Sequence, residues 1–139
     1  MDRAAIAQRQ EAVLEADADI LRHFGMTFVS AAEGRAEMRL SVRPELVNAA
    51  GFAHGGLLFT LADTCAAYAV GSGGQRGATV ASSFSFLRAA RGGMEVRGTA
   101  WTVHRGRRLA TVQTEVRDGS ADDRLLATGT LTFALLEEA

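Results

Sequence analysis

Residues 54–70, HGGLLFTLADTCAAYAV, are the stretch that most constrains how this chain can fold. After a histidine and two glycines, apolar residues occupy every side of the expected helix. They are Leu57, Leu58, Phe59, Leu61, Ala62, Ala66, Ala67, Tyr68, Ala69 and Val70. A helix that is hydrophobic all round belongs in the interior of a protein. The segment therefore predicts a long central helix that the rest of the chain covers and that Gly71-Ser72-Gly73-Gly74 ends.

The segments on either side of this helix show other periodicities. Residues 3–24 carry apolar residues at roughly helical spacing with charges between them, which predicts one amphipathic helix. Residues 26–42, MTFVSAAEGRAEMRLSV, are typical of a β-hairpin that turns at Glu33-Gly34. Four further strands are predicted at 78–88, 94–104, 108–118 and 124–135.

This order of elements contains no strand-helix-strand alternation. It predicts an α+β fold in which a curved, mainly antiparallel sheet wraps around the central helix. The length of 139 residues suits a single domain spanning residues 1–139, with the amphipathic helix at its N-terminus.

Composition limits the partners that this chain can be expected to bind. A net charge of −1 gives no reason to expect nucleic acid or an anionic membrane. The first twenty residues carry acids and amides where a signal peptide would need an apolar run, and no uninterrupted apolar run reaches about 18 residues. Neither a signal peptide nor a membrane span is therefore expected. Cys65 is the only cysteine, which excludes an internal disulfide and predicts a cytoplasmic protein. The histidines His23, His54 and His104 lack zinc-site spacing, and no metal is expected.

Asp63 is the one ionisable carboxylate of the apolar segment, and composition leaves two interpretations of it open. Burying a carboxylate without partners costs free energy. Asp63 is either a structural acid, bonded to backbone or to Thr60 or Thr64, or a base or nucleophile in a site that the helix lines.

His54-Gly55-Gly56 at the start of the helix favours the second interpretation. The first N–H groups of a helix have no intrahelical acceptor and attract negative charge, and glycine lets a substrate approach the backbone. An oxyanion that develops on a carbonyl would be stabilised there. The alternative is that His54 is a satisfied cap residue and that the glycines begin the helix for conformational reasons.

The spacing of these two features has a consequence for assembly. His54 and Asp63 are nine residues apart, which is about 13 Å of rise and half a turn out of phase on one helix. One helix cannot aim both at the same small reacting group. If both serve one site, a second copy of the chain with an opposed helix must supply one of them, so at least a dimer is predicted.

The pattern Asn48-x5-His54-Gly55-Gly56-x6-Asp63, within NAAGFAHGGLLFTLADTCAAYA, resembles the hotdog-fold thioesterases of the phenylacetic-acid-degradation (PaaI-like) type. The later stretch SFSFLRAARGGMEVRGTAWTVHRGRRLATVQTEV looks like the strand pair of that family. The resemblance covers roughly residues 20–136. It implies the same arrangement of a long helix wrapped by an antiparallel sheet, and a homodimer or a homotetramer built as a dimer of dimers.

The resemblance also implies roles for individual residues. The Gly55 N–H polarises the thioester carbonyl, and Asn48 and His54 shape the site from the same subunit. Asp63 of the partner subunit attacks the carbonyl or activates water. Gly56 is placed with the substrate-binding residues, and Thr79 falls where such enzymes carry a Ser or Thr that positions water or substrate.

The remaining candidates are basic residues, a thiol and a glycine-rich loop. Arg88 and Arg107 are the favoured contacts for the phosphates of coenzyme A, with solvated hairpin charges as the alternative. Cys65 is expected to be a buried, inert thiol. GSGGQRG, residues 71–77, lacks the Gly-Lys-Ser/Thr of a phosphate loop and is predicted to be a flexible loop.

These features predict an acyl-CoA thioesterase that releases a free acid and coenzyme A, with no cofactor beyond the coenzyme A of its substrate. Two alternatives stay open: a hotdog-fold dehydratase or hydratase of acyl thioesters, and a protein that binds acyl-CoA without hydrolysing it. Phe52, Phe59 and Tyr68 are compatible with an aromatic acyl group of the aryl-acetyl type, and equally with a hydrophobic core.

Overall fold

A computed structural model describes residues 1–137, which fold into helices packed on one six-stranded antiparallel sheet. The helices are α1 (Arg3–Ala16), α2 (Ala18–Phe24) and α3 (Gly55–Ser72), with a 3-10 turn at Pro44–Leu46. The strands are β1 (Met26–Ala32), β2 (Arg35–Ser41), β3 (Gly77–Phe86), β4 (Glu95–Arg105), β5 (Leu109–Arg117) and β6 (Leu125–Leu135). The predicted order of strands around a long helix is confirmed, as is the α+β fold.

The strands lie in the order β1-β2-β4-β5-β6-β3, so β3 forms one edge of the sheet. The predicted hairpin of β1 and β2 turns at Glu33 and Gly34, which both have positive φ, as tight hairpin turns require. Burial alternates along β5, where Ala110, Val112, Thr114 and Val116 face the core. One face of the sheet is therefore turned toward the central helix.

Helix α3 crosses β2, β4 and β5 and buries one side of its surface against them. Leu61, Ala62 and Ala66 are fully buried in this contact. A Cβ on Gly98 of β4 would lie 2.9 Å from the Leu61 Cγ, so the helix lies against bare backbone at that point. This close approach fixes the height of α3 above the sheet.

The expectation that α3 is covered on every side is wrong. The sheet shields only one side, and a stripe of residues at helical spacing stays partly or fully exposed. The stripe consists of Gly56, Phe59, Thr60, Asp63, Thr64 and Ala67. Apolar side chains on both sides of a helix do not reveal which side the same chain covers. Asp63 is accordingly half-buried, not enclosed in the core.

The predicted N-terminal helix at 3–24 forms two helices that meet at Asp17. The Tyr68 hydroxyl, in α3, donates a hydrogen bond of 2.7 Å to the Asp17 carboxylate. The Gln10 amide donates to the Tyr68 carbonyl at 3.3 Å. Burial and the contact with Asp17 raise the pKa of Tyr68. These bonds attach α1 and its junction with α2 to the central helix.

Two arginines hold the C-terminal end of α3. Arg9 of α1 donates to the carbonyls of Gly71, at 3.0 Å, and Gly74, at 2.9 Å. Arg105 of β4 donates to the carbonyl of Val70. Cations are favoured at this end because helix carbonyls point there without intrahelical partners. Burial, and then the charge of Arg9, lower the pKa of Arg105. The loop GSGGQRG is therefore braced by side chains instead of being free.

Within residues 1–137, no helix is long and apolar enough to cross a membrane.

Candidate active site

Asp63 lies in the middle of the exposed stripe of α3 and accepts a hydrogen bond from Thr79 of β3. The Thr79 hydroxyl is 2.6 Å from Asp63 Oδ1. These two residues are sixteen positions apart and were both predicted from the sequence to belong to the site. The contact orients the carboxylate while one of its oxygens remains available for chemistry.

An irregularity of β3 accompanies the position of Thr79. The register between β3 and β6 shifts between Thr79 and Ala81, which marks a β-bulge. Bulges re-aim side chains and are common beside active sites. All residues of β3 except Gly77 and Phe84 are exposed, and β3 is an edge strand of the sheet that residues 1–137 form.

His54 is the N-cap of α3, and its side chain uses the next helix N–H. The Gly56 N–H donates to His54 Nδ1 at 2.9 Å. A Cβ on Gly56 would lie 3.0 Å from that nitrogen, so glycine leaves room for the imidazole. His54 is thus a satisfied cap residue, and its ring is fixed beside the helix start. Gly56 provides space for that ring, while its N–H is already engaged.

The Gly55 N–H remains as the open donor at this end of α3. It is the first N–H of the helix, and no carbonyl within the helix is placed to accept its hydrogen bond. The edge of the Phe86 ring lies 3.4 Å from the position of a Cβ on Gly55. Phe86 contacts Phe84, and Phe84 contacts Phe59, in edge-to-face pairs with ring centroids 5.1 and 5.4 Å apart. An aromatic row therefore borders the open N–H.

Asn48 shapes the loop that leads into α3. Its Oδ1 accepts hydrogen bonds from the N–H groups of Ala50, at 3.0 Å, and Phe52, at 3.2 Å. The His54 N–H then donates to the Leu46 carbonyl at 3.2 Å. These bonds set the backbone direction from which the helix begins.

Within one chain, the two parts of the site do not meet. Gly55 and Asp63 are eight residues apart on one straight helix, a rise of about 12 Å. The N-terminal end of α3 offers the Gly55 N–H as a donor. The middle of the helix offers the Asp63 carboxylate, which accepts a hydrogen bond from Thr79. Within one chain, a single small reacting group therefore cannot contact both the Gly55 N–H and the Asp63 carboxylate.

The two favoured arginines lie at opposite ends of α3. Arg88 follows β3 near the helix N-terminus, and its N–H donates to the Leu126 carbonyl at 3.1 Å. Arg107 lies in the β4–β5 hairpin, next to Arg105, which holds the helix C-terminus. Both side chains are exposed. The structure does not bring Arg88 and Arg107 together in one chain.

Cys65 lies outside the candidate site, whereas Tyr68 lines a cavity beside Asp63 and is hydrogen-bonded to the N-terminal helices. Cys65 is fully buried, and its thiol faces the Gly98 carbonyl at 3.6 Å. Burial raises the pKa of this thiol to about 12, so it is a buried, inert thiol as predicted. Tyr68 packs edge-to-face on Phe28 and bonds to Asp17. Of the three aromatic candidates, only Phe59 belongs to the row beside Gly55.

Sequence reasoning missed Phe84 and Phe86. The alternation in SFSF, residues 83–86, places both rings on one face of a strand and was a usable signal. Nothing in the local sequence indicates that this face turns toward the HGG turn.

Comparison with known proteins gives the family of this chain. The model of the Thioesterase superfamily matches residues 50–133, which include His54, Gly55, Asp63 and Thr79. The acyl-coenzyme A thioesterase PaaI of Escherichia coli is 33% identical over 109 residues, 78% of this chain and 77% of that protein. A putative esterase of Archaeoglobus fulgidus is 34% identical over 99 residues. That match covers 71% of this chain but less than two thirds, 64%, of the relative.

Solved structures agree at the level of fold. The E. coli PaaI protein from the phenylacetic acid degradation operon superposes with a TM-score of 0.89 at 24% identity, covering 99% of each chain. The smu.793 protein of Streptococcus mutans, solved bound to acetyl CoA, has a TM-score of 0.76 at 27% identity. The superposition covers 81% of this chain and 90% of the S. mutans chain.

A long helix packed on an antiparallel sheet, with an open N–H at its start and a carboxylate at its middle, defines a hotdog-fold protein of the thioesterase class. The chain belongs to the Thioesterase superfamily, and its resemblance to the PaaI-like members is confirmed. The prediction of a thioester hydrolase is confirmed at the level of family.

Proposed function

We propose that this protein is an acyl-CoA thioesterase in which Asp63 attacks the thioester or activates water, and the Gly55 N–H stabilises the oxyanion. The observation that carries the proposal is the 2.6 Å hydrogen bond between Thr79 and Asp63 on an exposed stripe of α3. A carboxylate that only completed a core would be enclosed, whereas this one is oriented and still accessible. The names of the E. coli relative and of the S. mutans neighbour support coenzyme A thioesters as the substrate class.

The chemistry needs a nucleophile beside a polarised carbonyl. In the general-base form, Asp63 takes a proton from water as the water oxygen bonds to the thioester carbon. The carbonyl oxygen becomes an oxyanion that accepts the Gly55 N–H. When the carbonyl reforms, the carbon–sulfur bond breaks and the coenzyme A thiolate leaves, taking up a proton. In the nucleophilic form, Asp63 displaces the thiolate to give an anhydride, which water then hydrolyses.

The proposed active unit contains two chains. The stripe on α3 and the open edge of β3 lie side by side, and Val80 and Leu87 are exposed along that edge or just beyond it. Pairing two copies through this surface would cover unpaired strand N–H and C=O groups. With the α3 helices opposed, Gly55 of each chain would face Asp63 of the other. The twofold axis would then pass beside Phe59, midway between them. Two such dimers would build the predicted homotetramer.

Several supporting roles remain part of the proposal. His54 and Asn48 hold the turn that presents Gly55, and Gly56 leaves space for the imidazole. Exposed Arg88 and Arg107 offer guanidinium groups to the phosphates of coenzyme A. In the opposed dimer, Arg88 of one chain and Arg107 of the other would approach the same site. The enzyme is proposed to act in the cytoplasm without metal or bound cofactor.

The decisive experiment follows release of coenzyme A thiol from acetyl-, octanoyl- and phenylacetyl-CoA with a thiol-reactive dye. Catalytic release from at least one of these supports the proposal. Binding of the same compounds without release would identify an acyl-CoA-binding protein and contradict it.

A single turnover in oxygen-18 water separates the two roles of Asp63. A general base delivers the labelled oxygen directly, so the product acid of the first turnover is labelled. If Asp63 is the nucleophile and water opens the anhydride at the Asp63 carboxyl carbon, that acid is unlabelled and the label enters Asp63. Opening at the acyl carbon instead labels the acid, and trapping of the anhydride with hydroxylamine then distinguishes the nucleophile from the general base.

A further inference from the structure

Phe86 ends β3 beside the open N–H of Gly55. The Cε1 and Cζ atoms of its ring are 3.4 and 3.5 Å from the position of a Cβ on Gly55, so one edge of the ring faces the start of α3. The side chain is 54% exposed. Single exposed apolar side chains are common and need no explanation by themselves. The feature of Phe86 that requires one is its contact with a proposed catalytic group.

Neighbouring rings hold Phe86 in this position. Phe86 packs edge-to-face on Phe84 at an interplanar angle of 82°, and Phe84 packs in the same way on Phe59 at 84°. Phe84 lies against the backbone of β6, because a Cβ on its cross-strand partner Gly129 would be 2.6 Å from a ring carbon of Phe84. Phe59 follows Gly55 by four residues and lies on the same face of α3. These contacts fix Phe86 within the chain, without any substrate.

The position of the coenzyme A half of the substrate determines which atom meets this ring. In the proposed reaction the thioester oxygen accepts the Gly55 N–H, and the sulfur is bonded to the same carbon as that oxygen. Coenzyme A begins at the sulfur, and Arg88, a proposed phosphate contact, follows Phe86 by two residues. The sulfur is therefore the substrate atom that faces Phe86.

Sulfur and the edge of an aromatic ring attract each other. The edge carries partial positive charge, and a polarizable divalent sulfur about 5 Å from the ring makes a favourable contact there. An ester oxygen is smaller and less polarizable, so it gains less from the same ring. A ring at this position therefore favours one class of ester over the other.

We propose that Phe86 contacts the thioester sulfur and makes the enzyme prefer thioesters to the corresponding oxygen esters. This inference rests on the proposed thioesterase function and adds a specificity-determining residue to it. Gly55 and Phe86 belong to the same chain, so the contact forms whichever chain supplies the carboxylate.

The test compares octanoyl-CoA with its oxygen analogue, in which an oxygen replaces the thioester sulfur. Release of octanoic acid from each is followed by mass spectrometry, and the selectivity is the ratio of the two kcat/KM values, thioester over oxygen ester. Phe86→Leu keeps an apolar side chain and removes the ring. It is expected to lower the selectivity about two- to tenfold relative to the wild type, the range for one sulfur–aromatic contact. Comparison with the wild type cancels the different intrinsic reactivities of the two esters.

Two further variants control this measurement. Phe86→Ile removes the ring with a residue that suits a β-strand, and it should lower the selectivity as Phe86→Leu does. Phe24→Leu makes the matched change in α2, where the ring packs against His23, and it should leave the selectivity unchanged. If both ringless variants at position 86 keep the wild-type ratio, or lose kcat/KM equally for both esters, Phe86 has only a structural role and the inference is overturned.

Titration calorimetry separates failure of this inference from failure of the proposed function. If the wild type hydrolyses neither ester, the thioesterase proposal fails, and the contact is judged from the affinities of the same two compounds. If only the thioester is cleaved, the titrations are done with Asp63→Asn added to each chain. Tighter binding of octanoyl-CoA than of its oxygen analogue, lost on Phe86→Leu, supports the contact. Equal affinities with Phe86 in place overturn it.

Discussion

At its C-terminal end, α3 offers its carbonyls to Arg9 and Arg105, whereas at its N-terminal end the Gly55 N–H has no acceptor within residues 1–137. Both ends of any helix carry backbone groups without intrahelical partners. At the C-terminal end, side chains from α1 and β4 supply the missing hydrogen bonds. At the N-terminal end, His54 satisfies the second N–H and leaves the first.

The two ends of α3 therefore differ in the kind of residue they carry. Residues at one end stabilise the helix, and residues in the other half are proposed to act on the substrate. Arg9, Arg105 and Tyr68 are hydrogen-bonded to partners within the chain. Asp63 and Gly55 lie where the same chain covers them only in part. We therefore expect substitutions at the C-terminal end to change stability and substitutions at the N-terminal half to change turnover.

The largest expected effect comes from Asp63→Asn, which keeps the shape of the side chain and removes its charge. We expect kcat to fall at least about a hundredfold, because a positioned base or nucleophile is lost. Thiol release at saturating acyl-CoA measures this. Asp122→Asn makes the same chemical change at an exposed surface position and should leave kcat unchanged. Near-normal turnover by Asp63→Asn would return Asp63 to the role of a structural acid.

Mixing two inactive chains tests whether the N-terminal end of one α3 serves the middle of another. Gly55→Pro removes the proposed N–H donor, and the backbone conformation at this position accommodates proline. His54 has φ −57° and ψ 136°, which a residue before proline prefers, and proline is tolerated in the first turn of a helix. Gly55→Pro and Asp63→Asn should each be inactive alone. Co-refolded in equal amounts, they should recover about a quarter of wild-type activity, because half the dimers are mixed and each of those has one intact site.

Two controls make this mixing experiment decisive. Subunit exchange is shown by mass spectrometry with an isotopically labelled chain. Gly55→Ala keeps the N–H and adds a methyl group at contact distance from Phe86, so it should retain far more activity than Gly55→Pro. Zero recovery in samples with demonstrated exchange would refute the site shared between subunits.

A smaller effect on turnover is expected from Thr79→Val, which removes the hydroxyl that orients Asp63 and keeps the size of the side chain. Hydrogen bonds to charged groups contribute about 1.5–3 kcal/mol, so a loss of at least about tenfold in kcat is expected. Thr79→Ser restores the donor and should recover most of the rate. If Thr79→Val and Thr79→Ser turn over equally, the 2.6 Å contact has no part in the chemistry.

The smallest effect on activity is expected at the other end of the helix. Arg105→Met keeps most of the aliphatic stem and removes the donor to Val70, so the free energy of unfolding should fall by about 1–3 kcal/mol while kcat stays close to that of the wild type. Urea denaturation at a fixed protein concentration measures the first quantity. Arg108→Met removes an exposed guanidinium nearby and serves as the control. A large fall in kcat at unchanged stability would contradict the division between the two ends.

Local patterns in the sequence predicted most of the fold. Period-two alternation predicted β2 and β5, and Glu33-Gly34 predicted the hairpin turn, because these signals arise within a few residues. The break at Asp17 was missed because the sequence around it is compatible with a continuous helix. Only the packed structure shows that the Asp17 carboxylate accepts a hydrogen bond from Tyr68, which lies 51 residues away.

The candidate site shows the same division. Asp63, Gly55 and Thr79 were identified from their spacing and their resemblance to a family. The exposure of this side of α3 was not predicted, because Phe59 and Ala67 are apolar whether they face a core or another chain. Likewise, the sequence does not distinguish Arg105, which holds the end of α3, from exposed Arg107 two residues later.

The open edge formed by β3 also has a consequence for handling the protein. From Gly77 to Phe86 the strand carries no charged residue and no proline, the devices that commonly protect an edge from pairing with foreign strands. Uncharged strand segments rich in β-formers aggregate when they are left exposed. Variants designed to separate the proposed dimer should therefore precipitate instead of yielding stable monomers, unless a lysine is introduced on β3 at the same time.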